Sequence, residues 1–278
     1  MSARPDPGAT RALALLYSPG AQGQVLGALT GIEREVNASV ASGLDHGVAH
    51  ARLAWWGEEC RRCAAGQSEH PLTRQLQALC TGPARAALAG LRGFTDIATW
   101  DLASASFQTR KEMNAYSERW SAALVEPFAA FALGEPAGAP VRSFGRALHE
   151  VELACTLAAD ARAGRVRAPL AELDAAGIDP GQLLQNPWQA PLASFVRSLH
   201  QRARRALAAA ASALPAAQQP ALRALLVWAA LARQRSMRIA AALPGPLPAG
   251  DHHAPLDGWR AWRAARRADR ARFVLPAD

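Results

Sequence analysis

Glu152 and Asp160 are acidic residues whose spacing suits a shared site. They are eight residues apart, so in a helix they lie two turns apart on roughly one face. Arg162 and Arg165 follow directly, and a guanidinium group binds phosphate through two parallel hydrogen bonds. Carboxylates beside arginines can hold Mg²⁺ and a phosphate. Two interpretations stay open: such a site, or a helix-pairing glutamate and a salt bridge within a loop.

Helices are the elements that must position these residues. Runs of β-branched residues with alternating polarity are nearly absent, which excludes an extensive sheet. Proline and glycine divide the chain into predicted helices at 10–17, 21–42, 48–65, 71–79, 83–101, 110–133, 141–162, 187–214, 218–243 and 256–271. The segment 221–231 is apolar on every side, which places it in the centre of a large bundle. The sequence therefore predicts an all-α bundle around a central cavity.

The distribution of glycine and proline favours a single domain over 1–278, because these residues form no long linker within the chain. Residues 244–278 form a proline-rich connector followed by a basic amphipathic helix. The chain carries a net charge of +8, and Lys111 is its only lysine. A positive charge attracts diphosphate, acidic lipid or nucleic acid. Since no nucleic-acid-binding motif accompanies the charge, we expect no nucleic-acid partner.

The cysteines predict reduced structural thiols in a cytoplasmic protein. Cys60 and Cys63 form a lone C-x-x-C, with no second pair at zinc-binding spacing. The N-terminal apolar run is too short and interrupted for a signal peptide. No apolar stretch reaches the roughly 20 residues that a membrane span requires.

The last predicted helix carries two tryptophans among clustered arginines. Trp259 and Trp262 are three residues apart, and Arg263, Arg266 and Arg267 follow. This pattern is typical of a helix lying on an acidic membrane surface, which would make the protein peripheral at the inner membrane. Alternatively, the tryptophans cover the end of the bundle and the arginines face water.

Three sequence blocks, in order, resemble the squalene/phytoene synthase family. The segment 144–173 is similar to the family helix that ends in D-x-x-E-D and the R-x-G-R loop after it. The segment 49–74 resembles the family's LAWWREE and HP phrases, and 96–116 matches its D-x-x-x-x-D-L and E-L-x-x-Y spacing. The resemblance covers roughly residues 10–175, whereas the C-terminal third offers helical character alone.

The resemblance implies a bundle that condenses two isoprenoid diphosphates head to head with Mg²⁺. It places Tyr116 at the active centre and assigns Arg34, Arg162 and Arg165 to the diphosphate. The alternative for Tyr116 is a hydrogen-bonded core tyrosine.

The family's metal-binding acids are mostly replaced in this sequence. The first aspartate pair corresponds to Asn37 and Ala41, and the second motif reads Thr156, Ala159 and Asp160. Alanine has no ligating oxygen, and asparagine and threonine bring no negative charge. We therefore expect no cofactor and no ordinary condensation. The alternative is an active prenyltransferase, dependent on Mg²⁺, in which Glu152 joins Asp160 as a relocated ligand.

The N-terminal region is similar to a divergent branch of the family. That branch includes the mitochondrial complex I assembly factor and its bacterial relatives, which lack the aspartate pairs and are thought to act without catalysis. The resemblance implies a repurposed protein whose partner is an isoprenoid diphosphate or lipid, another protein, or a membrane surface.

Overall fold

The computed structural model describes residues 8–40, 44–245 and 254–276. In these ranges the chain forms twelve α-helices and no strand, which confirms the all-α prediction. The helices are α1 (Gly8–Leu15), α2 (Gly20–Ala38), α3 (His46–Ala65), α4 (Pro71–Leu79), α5 (Gly82–Ala87), α6 (Arg92–Leu102), α7 (Arg110–Leu133), α8 (Ala139–Arg162), α9 (Leu170–Ala175), α10 (Ala190–Ser212), α11 (Arg223–Ala242) and α12 (Asp257–Asp269). Single 3₁₀ turns lie at Leu88–Leu91, Pro180–Leu184 and Ala216–Gln218.

Local capping explains why several helices begin and end where they do. Asp45 accepts a hydrogen bond from the backbone N–H of Val48 and starts α3. Gly66 ends α3 in the left-handed region, with a φ of 81°. Thr109 caps α7 in the same way as Asp45, through the backbone N–H of Glu112.

The helices α7 and α8 form the centre of the bundle. α8 packs against α7, α10 and α11, while α7 also packs against α2, α5 and α6. Gly145 of α8 lies so close to α7 that a Cβ atom there would collide with the hydroxyl of Ser121. Trp120 and Phe144, from the two helices, are fully buried. This close pair of helices carries the interior side chains of Tyr116 and Trp120, from α7, and of His149 and Glu152, from α8.

The predicted helix 83–101 is divided in the structure. A 3₁₀ turn at Leu88–Leu91 separates α5 from α6. There the chain touches the backbone of α7, because a Cβ on Gly90 would collide with the carbonyl of Ala122 and one on Gly93 with that of Arg119. The division follows from this tertiary contact, which the two glycines permit, and glycine also weakens the helix locally.

The loop after α8 is fixed onto the rest of the bundle. A second hydrophobic cluster joins the end of α8 to the loop and α10, through buried Leu157, Leu173 and Trp188 among others. The backbone N–H of Leu170 donates a 2.8 Å hydrogen bond to the carbonyl of Phe107, just before α7. The loop therefore brings Arg167 to the junction of α6 and α7.

The C-terminal helix α12 packs against α11 and α1. Residues 246–253 of the predicted connector lie outside the described residues. In the described ranges, none of the helices combines the length and the apolar character needed to cross a bilayer.

Candidate functional site

Tyr116 belongs to a buried polar network in the bundle interior. Its hydroxyl donates a 2.9 Å hydrogen bond to Oδ1 of Asp101, at the end of α6. Arg167, from the loop after α8, pairs with the same carboxylate, and the two ion-paired side chains are 1 % and 0 % exposed. The guanidinium carbon of Arg167 lies 4.8 Å from the ring centroid of Tyr116. The predicted active-centre tyrosine thus has a hydroxyl held by a buried ion pair.

Aromatic rings continue from Tyr116 into the centre of the bundle. The ring of His149 stacks on Tyr116 at 5.7 Å and on Trp120 at 4.5 Å between centroids. Trp228 from α11 meets Trp120 edge to face at 5.6 Å. The Nδ1 atom of His149 lies 3.2 Å from the hydroxyl of Ser117, so the imidazole is oriented by a hydrogen bond. Helices α7, α8 and α11 thereby share one aromatic stack.

Glu33 of α2 is bound on both carboxylate oxygens. The indole N–H of Trp120 donates to Oε1 over 2.8 Å, and the guanidinium of Arg11, from α1, donates to Oε2. The guanidinium carbon of Arg11 also lies 4.6 Å from the ring centroid of Trp228. An arginine of the chain itself therefore supplies the positive charge opposite this buried acid.

Glu152 is held in a similar way from the other side. The indole N–H of Trp228 donates to its Oε1 over 2.8 Å, and Arg235 approaches its Oε2 to 3.9 Å. Thr156, one turn later, donates its hydroxyl to the backbone carbonyl of Glu152. Of the two interpretations of Glu152, helix pairing describes this geometry, since the carboxylate joins α8 to α11.

Asp160 and Arg165 are brought together. The guanidinium of Arg165 lies 3.2 Å from Oδ1 of the buried aspartate, and its backbone N–H donates to the carbonyl of Asp160. The remaining predicted residues are less central: Arg34 and Arg162 are exposed, Asn37 and Ala159 are half-buried, and Ala41 lies outside the described residues.

Arg11, Glu33 and Arg167 hold this interior together and were not predicted as its members. Their partners are distant in the chain: Glu33 and Trp120 are separated by 87 positions, and Asp101 and Arg167 by 66. Asp101 does belong to the block that resembles the family, but neither spacing nor periodicity pairs it with Arg167. Only the tertiary fold supplies that information.

Glu59, in the block at 49–74, has an architectural role. Glu59 is fully buried and accepts the backbone N–H groups of Glu69 and His70 at 2.9 Å, together with the hydroxyl of Thr73. Burial raises the pKa of Glu59, but these hydrogen bonds and Arg62 outweigh it and leave the pKa lowered. Glu59 therefore fixes the entry into α4 as a carboxylate.

The thiols in the same region are buried and inert. Cys60, Cys63 and Cys80 form no disulfide. Burial raises the pKa of Cys60 to about 12 and that of Cys80 to about 11. Since the thiolate is the reactive and metal-binding form, these residues behave as small apolar side chains. This environment agrees with the predicted structural thiols.

A surface pocket reaches the tyrosine network from the side of α6. Its volume is about 330 Å³. It is lined by Asp96, Ile97, Thr99, Trp100, Tyr116 and Arg119.

Comparison with known proteins identifies the architecture. The family model of squalene/phytoene synthase matches residues 5–260. The chain belongs to the squalene/phytoene synthase family. A search of curated proteins gives no significant match.

Solved squalene/phytoene synthase structures share the fold. A dehydrosqualene synthase crystallised with a ligand superimposes with a TM-score of 0.69 at 14% identity, covering 95% of this chain and 92% of that one. Squalene synthase HpnC from Alicyclobacillus acidocaldarius gives a TM-score of 0.60 at 18% identity, covering 85% and 89%. At such low identity these structures establish the fold alone.

The Mg²⁺ ions that the family resemblance implies do not fit the donor set that the described residues present. Three or more His, Cys, Asp or Glu side chains at ligating distance from one point do not occur in the described residues. Glu33, Glu152 and Asp160 each face a guanidinium group, and the two glutamates also accept an indole N–H. A divalent cation would have to displace these protein cations before it could bind.

Proposed function

We propose that this squalene/phytoene synthase-like protein is non-catalytic or repurposed, and that its helical bundle binds an isoprenoid-like lipid or supports an assembly role. One observation carries the proposal: the interior carboxylates are neutralised by the chain's own arginines. Burying a charge without a partner is costly, so each acid needs a counter-charge. Arg11, Arg235 and Arg165 occupy that role opposite Glu33, Glu152 and Asp160.

The replaced motif positions support the same proposal. Ionisation of an allylic diphosphate needs a Lewis acid that stabilises the departing pyrophosphate, and Mg²⁺ is held by carboxylates and substrate oxygens. Asn37, Thr156 and Ala159 provide no charge for such a site. The pocket beside α6, in contrast, has Ile97, Trp100 and Tyr116 in its lining, and these side chains suit an apolar ligand such as an isoprenoid chain.

The proposed setting is the cytoplasm, with a peripheral contact at the inner membrane and a protein or lipid partner. A single domain over 1–278 is part of the proposal. The packing of α12 against α11 and α1 supports it, because the last helix belongs to the same body as the first.

The test incubates the purified chain with farnesyl or geranylgeranyl diphosphate and Mg²⁺ and measures pyrophosphate release. We expect no release above the protein-free rate. Binding is tested with farnesol, and the melting temperature is measured with Mg²⁺ and again with a metal chelator. We expect farnesol to raise the melting temperature equally in both conditions.

The competing function is an active prenyltransferase with relocated acidic ligands. It predicts Mg²⁺-dependent pyrophosphate release that disappears in Asp160→Ala and Glu152→Gln. The matched control is Glu35→Gln, which changes an exposed acid on the same helix as Glu33. If pyrophosphate release persists in Glu35→Gln and is lost in Asp160→Ala and Glu152→Gln, the protein is an active prenyltransferase and the proposal is wrong.

A further inference from the structure

One face of α12 is committed to the bundle. Ala261, Ala264, Ala265 and Ala268 are buried where the helix packs against α11. The start of the helix is fixed by Asp257, whose carboxylate lies 3.0 Å from Arg238 of α11 and 3.1 Å from Arg260. The helix is therefore held in a defined orientation, and its opposite face is defined as well.

The opposite face carries large apolar side chains in contact with solvent. Trp259 and Trp262 are 52% and 51% exposed, and Leu256 at the helix start is 56% exposed. At 100° per residue, Leu256 and Trp259 lie opposite the buried alanines, and Trp262 lies on the adjoining flank of the helix. Tryptophan is a residue that folding normally buries in large part. Two half-exposed indoles on one helix face therefore form an apolar patch that the bundle leaves uncovered.

Arginines surround this patch. Five of them are exposed, and none lies within 4 Å of a carboxylate in the part of the chain that the structure describes: Arg263, Arg266, Arg267, Arg270 and Arg272. The guanidinium carbon of Arg263 lies 5.2 Å from the ring centroid of Trp259, and that of Arg266 lies 5.9 Å from Trp262. Asp269, the exposed acid of the helix, is paired with Arg223 of α11. Nothing on the face itself neutralises the arginines.

We propose that this surface, the α12 outer face, docks onto anionic phospholipid membranes. The face is defined by Leu256, Trp259, Trp262, Arg263, Arg266, Arg267 and Arg270. Indole rings settle at the level of the lipid headgroups, and arginines bind the phosphates while their stems stay in apolar contact. The charge complements an acidic leaflet. The inference rests on the peripheral membrane contact of the proposed function and names its surface, and it does not depend on whether the bundle interior is catalytic.

The indoles distinguish a lipid surface from a soluble polyanion. Affinity for a soluble polyanion depends on positive charge and little on exposed apolar area, whereas affinity for a lipid surface depends on both. Binding should therefore depend on the tryptophans as strongly as on the arginines. It should weaken with salt, because the electrostatic part is screened.

The experiment measures co-sedimentation of the full chain with phosphatidylcholine vesicles, with and without phosphatidylglycerol. We expect binding to the acidic vesicles, weakened at least roughly tenfold by W259A/W262A and by R263E/R266E/R270E. The control for charge is R52E/K111E/R205E, which reverses three exposed cations on α3, α7 and α10. The control for indole loss is Trp55→Ala, a half-exposed tryptophan on α3. Both controls should bind nearly as well as the unmodified chain.

Several outcomes would overturn the proposal. They are equal binding to uncharged vesicles, full binding by W259A/W262A, or an equal loss in the charge control. Heparin binding that depends on the arginines but not on the tryptophans would assign the face to a soluble polyanion instead. Circular dichroism and the melting temperature of each variant show whether the fold is retained. Tryptophan emission that shifts to shorter wavelength with acidic vesicles, and does not shift in W259F/W262F, is the independent readout.

Discussion

Arg167 and Asp101 form an ion pair from which solvent is almost entirely excluded. The arginine comes from the loop after α8, the aspartate from the end of α6, and Tyr116 of α7 donates its hydroxyl to the same carboxylate oxygen. Burial lowers the pKa of Arg167, but the negative charges of Asp101 and Asp160 outweigh it and raise the pKa above its ordinary value. Three separate parts of the chain are therefore joined at one charge pair, and removing either partner leaves the charge of the other without its paired counter-charge.

Arg167→Leu should destabilise the protein by about 3–5 kcal/mol, because it strands the carboxylate of Asp101 in the interior. Denaturant unfolding measures the change. The control is Arg92→Ala, which removes an ion pair with Asp96 whose side chains are 79% and 42% exposed and should cost a small fraction of that. Similar losses of unfolding free energy in the two variants would show that the ion pair of Arg167 and Asp101 contributes no more than an exposed pair.

Trp228→Phe should destabilise the protein more than Trp188→Phe. Both indoles are buried, and both substitutions remove one N–H and a similar volume. Trp228 donates to the carboxylate of Glu152, whereas Trp188 donates to the neutral carbonyl of Leu183. A hydrogen bond to a charged acceptor is about twice as strong, so we expect a difference of about 1–2 kcal/mol in the free energy of unfolding. Equal losses would show that Glu152 does not depend on this donor.

Glu59→Ala should cost about 3 kcal/mol or more, since two backbone N–H groups lose their acceptor, while the hydroxyl of Thr73 keeps only the carbonyl of His70. The neighbouring Glu58→Ala is the control, because Glu58 pairs with Arg61 on an exposed surface and should cost far less. Thermal unfolding of the two variants gives the comparison. Equal effects would mean that the turn before α4 forms without Glu59.

Stability should fall on the acid side through His200. Burial, together with Arg204 and Arg235, lowers the pKa of this histidine to about 4, whereas in the unfolded chain it is about 6.5. Between those values the unfolded state binds the proton and the folded state does not, so stability decreases as the pH falls from about 6.5 towards 4. The expected loss is on the order of 3 kcal/mol.

His200→Gln removes this titration and should flatten the curve of unfolding free energy against pH in that window. The variant also loses the contact of Nδ1 with the hydroxyl of Ser236, 2.8 Å away. The informative quantity is therefore the slope and not the absolute stability. Parallel curves for the two proteins would contradict the prediction.

Gly145→Ala should destabilise the protein by about 1–3 kcal/mol, because its Cβ meets Ser121 and Val125 of α7. Gly27→Ala, in α2, meets open space and should stabilise by about 0.5–1 kcal/mol through its lower chain entropy. Opposite shifts in melting temperature are the expected result. A neutral Gly145→Ala would show that α7 and α8 can move apart at no cost.

The sequence predicts the helices well because their boundaries are local. Asp45, Gly66 and Thr109 act through neighbouring residues, and their effect is visible in a short stretch of sequence. The division of the predicted helix 83–101 is not predictable in this way, because the contact that accompanies it joins Gly90 and Gly93 to the distant α7. Patterns within a segment carry no information about the backbone that the segment touches.

The interior site is less predictable for the same reason. The spacing of Glu152 and Asp160 predicts a pair on one helix face, whereas in the structure they contact different partners, Trp228 and Arg165. The pairing of Asp160 with Arg165 spans five positions and was foreseen as one alternative. The pairing of Glu152 with Trp228 spans 76 positions, and no motif connects them.

The eight tryptophans lie in different environments. Trp120 and Trp228 meet at 5.6 Å in the centre, beside the guanidinium of Arg11, while Trp259 and Trp262 face water on α12. Because Trp55 is also 42% exposed, the emission of the outer pair is obtained as the difference between the chain and W259F/W262F. That difference reports on whatever covers α12, separately from the buried indoles.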